Sequence, residues 1–247
     1  MTSASAGAPF GATPGSYASL VAHRGRLERA GRSAQVADIV RAGILDGTFR
    51  PGARLSEPDI CAALTVSRNT LREAFRTLIE ERLAVHRLNR GVFVRVPSAE
   101  EVAEVYRCRR IVECAALRDP PSAPADLGPV REALAHADRR AAQGDWTGVG
   151  TADVAFHRAV TALNGSRLLD ALMAGVWNEL RLIFHVVADP SDFHGPYLRR
   201  NHEVFDTLAG GDAATAAQLL ADYLDDAQAR ILAAYADIDQ EDRGTRG

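Results

Sequence analysis

The clearest structural signal in the chain is the segment Ser67-Arg-Asn-Thr-Leu-Arg-Glu-Ala-Phe-Arg-Thr-Leu-Ile79. Ser67 is a favoured helix N-cap, and the apolar residues from Leu71 to Ile79 recur at the three- and four-residue spacing of one buried helix face. The same spacing leaves Arg68, Asn69 and Arg72 on other faces. The segment therefore predicts an amphipathic helix that exposes polar side chains near its N-terminus.

The neighbouring segments extend this helix into a small domain. Helical spacing from Ser33 to Ile44 predicts a first helix, and Ser56-Glu-Pro-Asp59 has the form of a capping box that opens a short second one. Beyond the amphipathic helix, apolar and polar residues alternate as they do in strands. The stretch includes Asn89-Arg-Gly91, which are residues typical of a hairpin turn. We therefore predict a winged helix-turn-helix, three helices plus a β-hairpin, over residues 33–97.

The outer parts of the chain differ from this domain. Residues 1–32 are rich in Gly, Ala, Ser and Pro, which predicts a disordered tail, and we expect a second tail at 239–247. Ser98 to Glu101 forms another S-x-x-E capping box, and only helical periodicity follows it. We predict an all-α helical bundle, the effector domain, over residues 98–238, and a fold class that is mainly α.

Charge and composition limit the possible functions. The net charge of the 247 residues is −3, but residues 1–97 hold 14 Arg and 8 acidic residues, and the rest hold 15 Arg and 24 acidic residues. A basic N-terminal part is typical of nucleic-acid binding. The three cysteines form no CxxC pair, which argues against a disulfide framework or zinc ribbon. No signal peptide or membrane span is recognisable, so we expect a cytoplasmic protein that does not contact membranes.

The amphipathic helix has the residues of a recognition helix. Arg can donate two hydrogen bonds to guanine and Asn can pair with adenine, and such residues stand near the N-terminus of a helix that enters the major groove. We expect Ser67 with the helix N-terminus to hold a phosphate, and Arg90 and Gly91 at the wing tip to reach the minor groove. The alternative is a solvated stripe of arginines, but the domain order and the basic charge favour DNA binding.

Four polar residues fall on the expected inner faces of the bundle. Asp153 and His157 lie four residues apart, the stripe from Leu198 to Leu208 includes His202, and Tyr223 lies in the apolar stripe of the last helix. An Asp and two His would suit Zn, Ni or Mn. The alternative is a local Asp–His pair and a separate, satisfied core histidine.

Two stretches resemble known families. Residues 33–97 resemble the winged-helix domain of GntR-type transcriptional regulators, through Val36 to Glu57, Val66-Ser-Arg-Asn-Thr-Leu-Arg-Glu-Ala-Phe75 and Asn89-Arg-Gly91. The resemblance implies base and phosphate contacts by Arg68, Asn69, Thr70 and Arg72. It also shows departures, since the family usually has Gly where Thr65 stands and often has Thr-Pro where Asn69-Thr70 stands.

Residues 98 to about 236 resemble the FCD ligand-binding domain of the FadR-like branch of that family. The matching stretches are Tyr106-Arg-Cys-Arg-Arg-Ile-Val-Glu113, Asp153-Val-Ala-Phe-His157, and Asn201-His-Glu203 with Gly211-Asp212.

The FCD resemblance implies a metal at Asp153, His157 and His202 that helps to hold a small carboxylate effector. The fourth metal position is Tyr223, whose neutral phenol is a poor ligand and would instead donate a hydrogen bond to the effector or to a metal-bound water. Arg110 matches a family Arg that either pairs with Glu113 or binds the effector carboxylate. Arg181 and His185 are further effector-binding candidates.

These observations predict a ligand-responsive regulator and not an enzyme. We expect a homodimer that binds an inverted-repeat operator as a repressor and responds to a small carboxylate effector. One alternative is a metal-dependent hydrolase that uses Asp153, His157 and His202. Another is a DNA-binding protein whose helical half only dimerises, which would leave a dry, apolar interior around His202.

Overall fold

The computed structural model describes residues 24–118, 126–186 and 189–244. The N-terminal domain holds helices α1 (Arg24–Leu45), α2 (Glu57–Leu64) and α3 (Arg68–Glu80) and strands β1 (Arg54–Leu55), β2 (Ala84–Arg87) and β3 (Gly91–Val94). The C-terminal domain holds helices α4 (Ala99–Arg118), α5 (Gly128–Ala142), α6 (Trp146–Ala162), α7 (Arg167–Phe184), α8 (Pro190–Ala209) and α9 (Ala213–Gly244). The predicted mainly α fold, a winged helix-turn-helix followed by a helical bundle, is confirmed.

The winged helix closes around one apolar core. Buried residues of α1, including Val36, Val40 and Ile44, pack against Leu71 and Phe75 of α3. β3 lies between β1 and β2 and pairs antiparallel with both. The two-residue strand β1 was not predicted, because a segment this short carries no alternation that could mark it.

The first helix begins earlier than the sequence suggested. It starts at Arg24, whereas the sequence predicted a disordered tail up to residue 32 and an N-cap at Ser33. Residues 24–32 contain no proline and consist mainly of Arg, Leu, Glu and Ala, which are good helix formers, so the helix continues through them. Residues 1–23 of the predicted tail lie outside the described residues. At the other end, α9 runs to Gly244, into the predicted tail at 239–247.

The bundle forms a second core, with α4 and α9 packed side by side and α6 in contact with α4, α5, α7 and α8. The capping box before α4 is confirmed, because the Ser98 amide donates to Glu101 Oε2 at 2.8 Å and the Glu101 amide donates to Ser98 Oγ at 3.2 Å. No strand occurs among the described residues of the bundle. None of the described helices is long and apolar enough to cross a membrane.

Candidate functional site

The recognition helix α3 presents the predicted polar residues to solvent. Ser67 caps it, since the Thr70 amide donates to Ser67 Oγ at 3.2 Å. Arg68 and Asn69 are exposed at the first turn. The Arg72 side chain is 61% exposed, and its Nε lies 3.3 Å from Glu57 Oε2 of α2. These groups are free to approach a polyanion, and the bond to Glu57 is weak enough to exchange for a phosphate or a base.

The wing adds further exposed cations. Its turn uses left-handed backbone at Asn89 (φ 58°) and Gly91 (φ 98°), which places Arg90 at the exposed tip. Arg54 of β1 lies close to Gly91, and the Arg87 guanidinium lies 4.7 Å from the centre of the Phe93 ring. Neither Arg54 nor Arg87 was predicted as a DNA contact. The alternation of apolar and polar residues after residue 82 could have placed Arg87 on a strand of the wing. The strand that carries Arg54 has only two residues, which is too short to show such a pattern.

Inside the bundle, buried polar side chains from four helices form one connected network. We call Arg109, Glu113, Asp153, His157, Asn201 and Tyr223 the buried polar cluster; each is at most 4% exposed. Arg109 Nε donates to Glu113 Oε1 at 2.9 Å, and Glu113 Oε2 lies 2.6 Å from His157 Nδ1. An ionised carboxylate only accepts hydrogen bonds, so the proton on this side belongs to His157 Nδ1.

The network continues from His157 to Asp153. His157 Nε2 lies 3.0 Å from the Tyr223 hydroxyl, which also lies 3.3 Å from Asp153 Oδ1. Asn201 Nδ2 donates to the same Asp153 oxygen at 2.7 Å. The His157 and Tyr223 rings stack with centroids 5.3 Å apart, which fixes their relative orientation.

Burial and neighbouring charges set the ionisation of the cluster. Burial alone would raise the pKa of Glu113, but the positive charges of His157 and Arg109 outweigh it and hold this pKa below its usual value. Burial and the negative charge of Asp153 raise the pKa of Tyr223 well above 10, so its phenol stays neutral at physiological pH. The cluster therefore holds a buried ionised carboxylate beside a neutral hydroxyl.

Several polar atoms at the cluster have no hydrogen-bond partner among the described residues. They are Tyr106 OH, Arg109 Nη2, Arg181 Nη2 and Asn201 Oδ1. Buried polar groups are normally satisfied, so such atoms indicate a place for a polar ligand or water. Three of the four groups are donors, which favours a ligand rich in acceptor oxygens.

Four of the predicted site residues lie outside the cluster: Arg110, Arg181, His185 and His202. Arg110 pairs with Asp225 and Gln228 of α9, and its side chain is 38% exposed. The suggested pair of Arg110 with Glu113 is wrong, because the buried stripe of α4 runs through Tyr106, Arg109 and Glu113. The apolar pattern from Val102 to Leu117 indicates this stripe and could have identified Arg109.

His202 also differs from its expected place. Its Nε2 lies 3.0 Å from Asp138 Oδ1 of α5, and its side chain is 40% exposed. The stripe through His202 was wrong by one residue, because α8 begins at Pro190 and its buried face runs through His194, Tyr197 and Asn201. Asn201 is therefore the α8 residue that reaches Asp153, whereas Tyr223 lies in the interior as expected.

Arg181 and His185 occupy a boundary position. Arg181 is 5% exposed, and burial lowers its pKa to about 10, so it remains a desolvated cation at neutral pH. His185 is only partly buried, and its Nε2 lies 3.1 Å from the Leu45 carbonyl oxygen of α1, so it faces the winged helix.

The donor set does not fit the metal that the FCD resemblance implies. With His202 at Asp138, only Asp153 and His157 of the three expected ligands come together, and the neutral Tyr223 hydroxyl contacts both. Among the described ranges, no group of three or more His, Cys, Asp or Glu residues is placed to share a metal. A neutral phenol is a poor substitute for the missing histidine.

Comparisons with known proteins agree with both domains. The profile of the bacterial regulatory proteins of the gntR family matches residues 32–94, and that of the FCD domain matches residues 104–226. A crystal structure of a transcriptional regulator, GntR from Rhodococcus sp. RHA1, is similar with 62% identity and a TM-score of 0.82, over 83% of this chain and 99% of that chain.

Two relatives known by sequence extend the comparison. An uncharacterised HTH-type transcriptional regulator of Streptomyces ambofaciens is 29% identical over 70% of this chain and 73% of its own length. The Nta operon transcriptional regulator of Aminobacter aminovorans is 40% identical over 28% of this chain, and the match spans 33% of that relative. The chain belongs to the GntR family of bacterial transcriptional regulators, in the branch that carries an FCD effector-binding domain.

Proposed function

We propose that this regulator binds an inverted-repeat operator as a homodimer and represses transcription until a small organic acid occupies the buried polar cluster. The observation that carries the proposal is that two buried guanidinium groups, Arg109 in the cluster and Arg181 on α7, each leave Nη2 without a hydrogen-bond partner among the described residues. A desolvated guanidinium binds a carboxylate strongly and with defined geometry. The Tyr223 hydroxyl and Asn201 supply neutral groups for the remainder of such a ligand.

DNA contact is assigned to the exposed groups of the winged helix. Arg68, Asn69 and Arg72 would read bases, Ser67 and Thr70 would hold phosphate at the helix N-terminus, and Arg90 with Gly91 would enter the minor groove. The assignment is supported by the exposure of the side chains of Ser67, Arg68, Asn69, Arg72 and Arg90. We add Arg54 and Arg87 as phosphate contacts of the wing.

Exposed apolar side chains on two helices of the bundle support the homodimer. Ile111 of α4 and Leu168 and Leu172 of α7 are 66%, 72% and 68% exposed, and α4 and α7 pack against each other. Large exposed apolar side chains on adjacent helices are typical of a protein interface. A second copy is the proposed occupant, because a two-fold pair of winged helices matches an inverted repeat.

Neither alternative from the sequence receives support. The family identifies a regulator, and a hydrolase would need the ligands that the cluster does not assemble. A helical half that only dimerises would have an apolar interior, whereas this one contains ionised and polar side chains from four helices.

The operator is tested by incubating the full-length protein with fragmented DNA of its source genome and sequencing the retained fragments. We expect enrichment of a short inverted repeat whose binding weakens as salt rises, because phosphate contacts release counterions. Retention of random fragments would contradict the specific operator.

The effector site is tested by thermal shift with a panel of small mono-, di- and hydroxycarboxylates. An acid at about one hundred times its Kd stabilises the protein by about 2.7 kcal/mol, which is several degrees of Tm. The same acid should reduce operator binding, and Arg109→Lys should abolish both effects. An acid that shifts the Tm of Arg109→Lys as much as that of the wild type would contradict the assigned site.

Elemental analysis of protein purified without chelators should find no stoichiometric transition metal.

A further inference from the structure

Helix α7 packs into both domains at once. Trp177, Leu180 and Ile183 lie in the core of the bundle, whereas Leu182 is completely buried in the core of the winged helix. The Glu179 carboxylate forms ion pairs with two arginines of the N-terminal domain, with Arg82 Nε at 2.7 Å and with Arg95 Nη1 at 3.5 Å. The C-terminal half of α7 is therefore the element through which the domains contact each other.

Arg181, on this half of α7, faces both domains with one side chain. Its Nε donates to the Leu45 carbonyl oxygen at 3.0 Å, and Leu45 is the last residue of α1. At the other edge of the guanidinium, a Cβ added to Gly150 of α6 would lie 3.1 Å from Nη1 and 2.6 Å from His194 Nε2. Nη2 is buried without a hydrogen-bond partner in the described structure.

The charges around Arg181 also come from both sides. Asp153 of the buried polar cluster and Asp46, the residue after α1, both attract its guanidinium. No carboxylate pairs directly with Arg181 in the described structure. An anion that enters the cluster would therefore compete with Asp153 and Asp46 for the guanidinium of Arg181.

We propose that Arg181 transmits occupancy of the buried polar cluster to the winged helix through its hydrogen bond to the end of α1. The inference rests on the proposed function and gives the route by which the effector site is read. A guanidinium is planar and rigid, so a carboxylate that takes its Nη edge also reorients Nε. That motion lengthens or breaks the bond to Leu45, and α1 carries the residues that pack against the recognition helix.

The turn after α1 provides a direct readout. The amides of Asp46, Gly47 and Phe49 donate to the carbonyl oxygens of Ala42, Ile44 and Gly43 at 2.9, 3.3 and 2.8 Å. Their hydrogen exchange reports how firmly the end of α1 is held. The measurement needs neither operator DNA nor an identified effector.

The experiment compares amide exchange over residues 42–50 in the full chain with Gly150→Ala and with Gly175→Ala. Both changes add one methyl inside a helix, but the methyl at Gly150 crowds Arg181 and His194, whereas the one at Gly175 meets nothing within 4 Å in the described structure apart from its chain neighbours and the backbone of its own helix. We expect Gly150→Ala to speed exchange about threefold to tenfold, the range expected for one lost hydrogen bond. Gly175→Ala should change nothing, and light scattering confirms an equal oligomeric state.

Arg181→Met then identifies the carrier of the effect. In the Arg181→Met variant we expect the amides of residues 42–50 to exchange fast already. Adding Gly150→Ala to this variant should not speed their exchange further. If Arg181→Met does not fold, Arg181→Lys, which keeps the charge but cannot bridge both sides, replaces it. The proposal is overturned if Gly150→Ala behaves as Gly175→Ala does, or if its effect persists in full without Arg181. Failure to find an operator would instead contradict the proposed function and leave this result standing.

Discussion

The two domains carry their functional charges in opposite ways. In the winged helix, Arg68, Arg72 and Arg90 are exposed, so water stabilises their charge, and the ion pair of Arg72 with Glu57 contributes little to stability. In the bundle, Arg109 and Glu113 are completely buried, so each needs the other to remain charged. Removing an exposed charge should therefore reduce only the affinity for DNA, whereas removing a buried charge should first reduce the free energy of unfolding.

The largest effect is expected from Arg109→Met. Among the described residues it leaves His157 as the one remaining ion-pair partner of the buried Glu113, and breaking a buried ion pair in this way costs about 3–5 kcal/mol. Its control is Arg110→Met, because the partner of Arg110 is Asp225, whose side chain is 61% exposed, and such pairs contribute at most about 1 kcal/mol. Urea unfolding at pH 7 measures both. Equal losses would mean that burial does not separate these neighbouring arginines.

The next largest effect is a pH dependence from His194. Burial lowers its pKa to about 4; Asp153 partly opposes this shift, whereas Arg181 and His185 add to it. The unfolded chain therefore binds more protons between pH 6.5 and pH 4, and stability falls as pH falls through that window. The contribution of His194 to this loss is about 3 kcal/mol, from 1.36 kcal/mol for each unit of pKa.

His194→Gln should remove that part of the pH dependence, while His202→Gln, at a 40% exposed side chain, should leave it unchanged. The lowered pKa values of Glu113 and His185 act in the same direction in all three chains, so the difference isolates His194. Urea titrations at pH 7, 5.5 and 4 give the comparison. Parallel curves for the wild type and His194→Gln would contradict the burial of a neutral imidazole.

The same contrast explains which parts could be predicted from the sequence. Local signals place the functional groups of the winged helix, since Ser67 caps α3 and Gly91 follows the wing turn, so a small error in a helix boundary does not matter. In the bundle, the position of a residue on a helix decides whether it is buried. The predicted inner face of α8 was wrong by one residue, at His202 instead of Asn201, and on α4 the resemblance pointed to Arg110, whereas Arg109 is the buried arginine.

The cause lies in where helices begin and in what they pack against. The predicted stripe that contains His202 starts at Leu198, but α8 begins eight residues earlier, at Pro190, where Asp189 accepts hydrogen bonds from the amides of Ser191 and Asp192. Over the full length of α8, the buried face includes Phe193, Tyr197 and Val204 together with Asn201. No sequence pattern could have shown that Glu113 of α4 meets His157 of α6, because that contact depends on how helices distant in the chain pack.

A smaller effect tests the corrected position on α8. Asn201→Ala removes the 2.7 Å hydrogen bond to Asp153, and a bond to a charged group contributes about 1.5–3 kcal/mol. His202→Ala removes a partly exposed contact with Asp138, for which we expect less than about 1 kcal/mol. Thermal and urea unfolding of the two variants decide between them. A larger loss for His202→Ala would restore His202 to the interior.

The effect on stability should be smallest for the exposed arginines of α3, although their effect on function is large. Arg68→Ala and Arg72→Ala should each weaken operator binding by about 1–3 kcal/mol if they read bases. Their urea midpoints should match that of the wild type, because neither side chain is buried. Arg158→Ala, an exposed arginine on α6 of the bundle, is the control and should leave both quantities unchanged. The recognition-helix assignment fails if both α3 variants keep full affinity. If they lose affinity equally for operator and random DNA, these arginines contact phosphates, and sequence is read by Asn69 or by the wing.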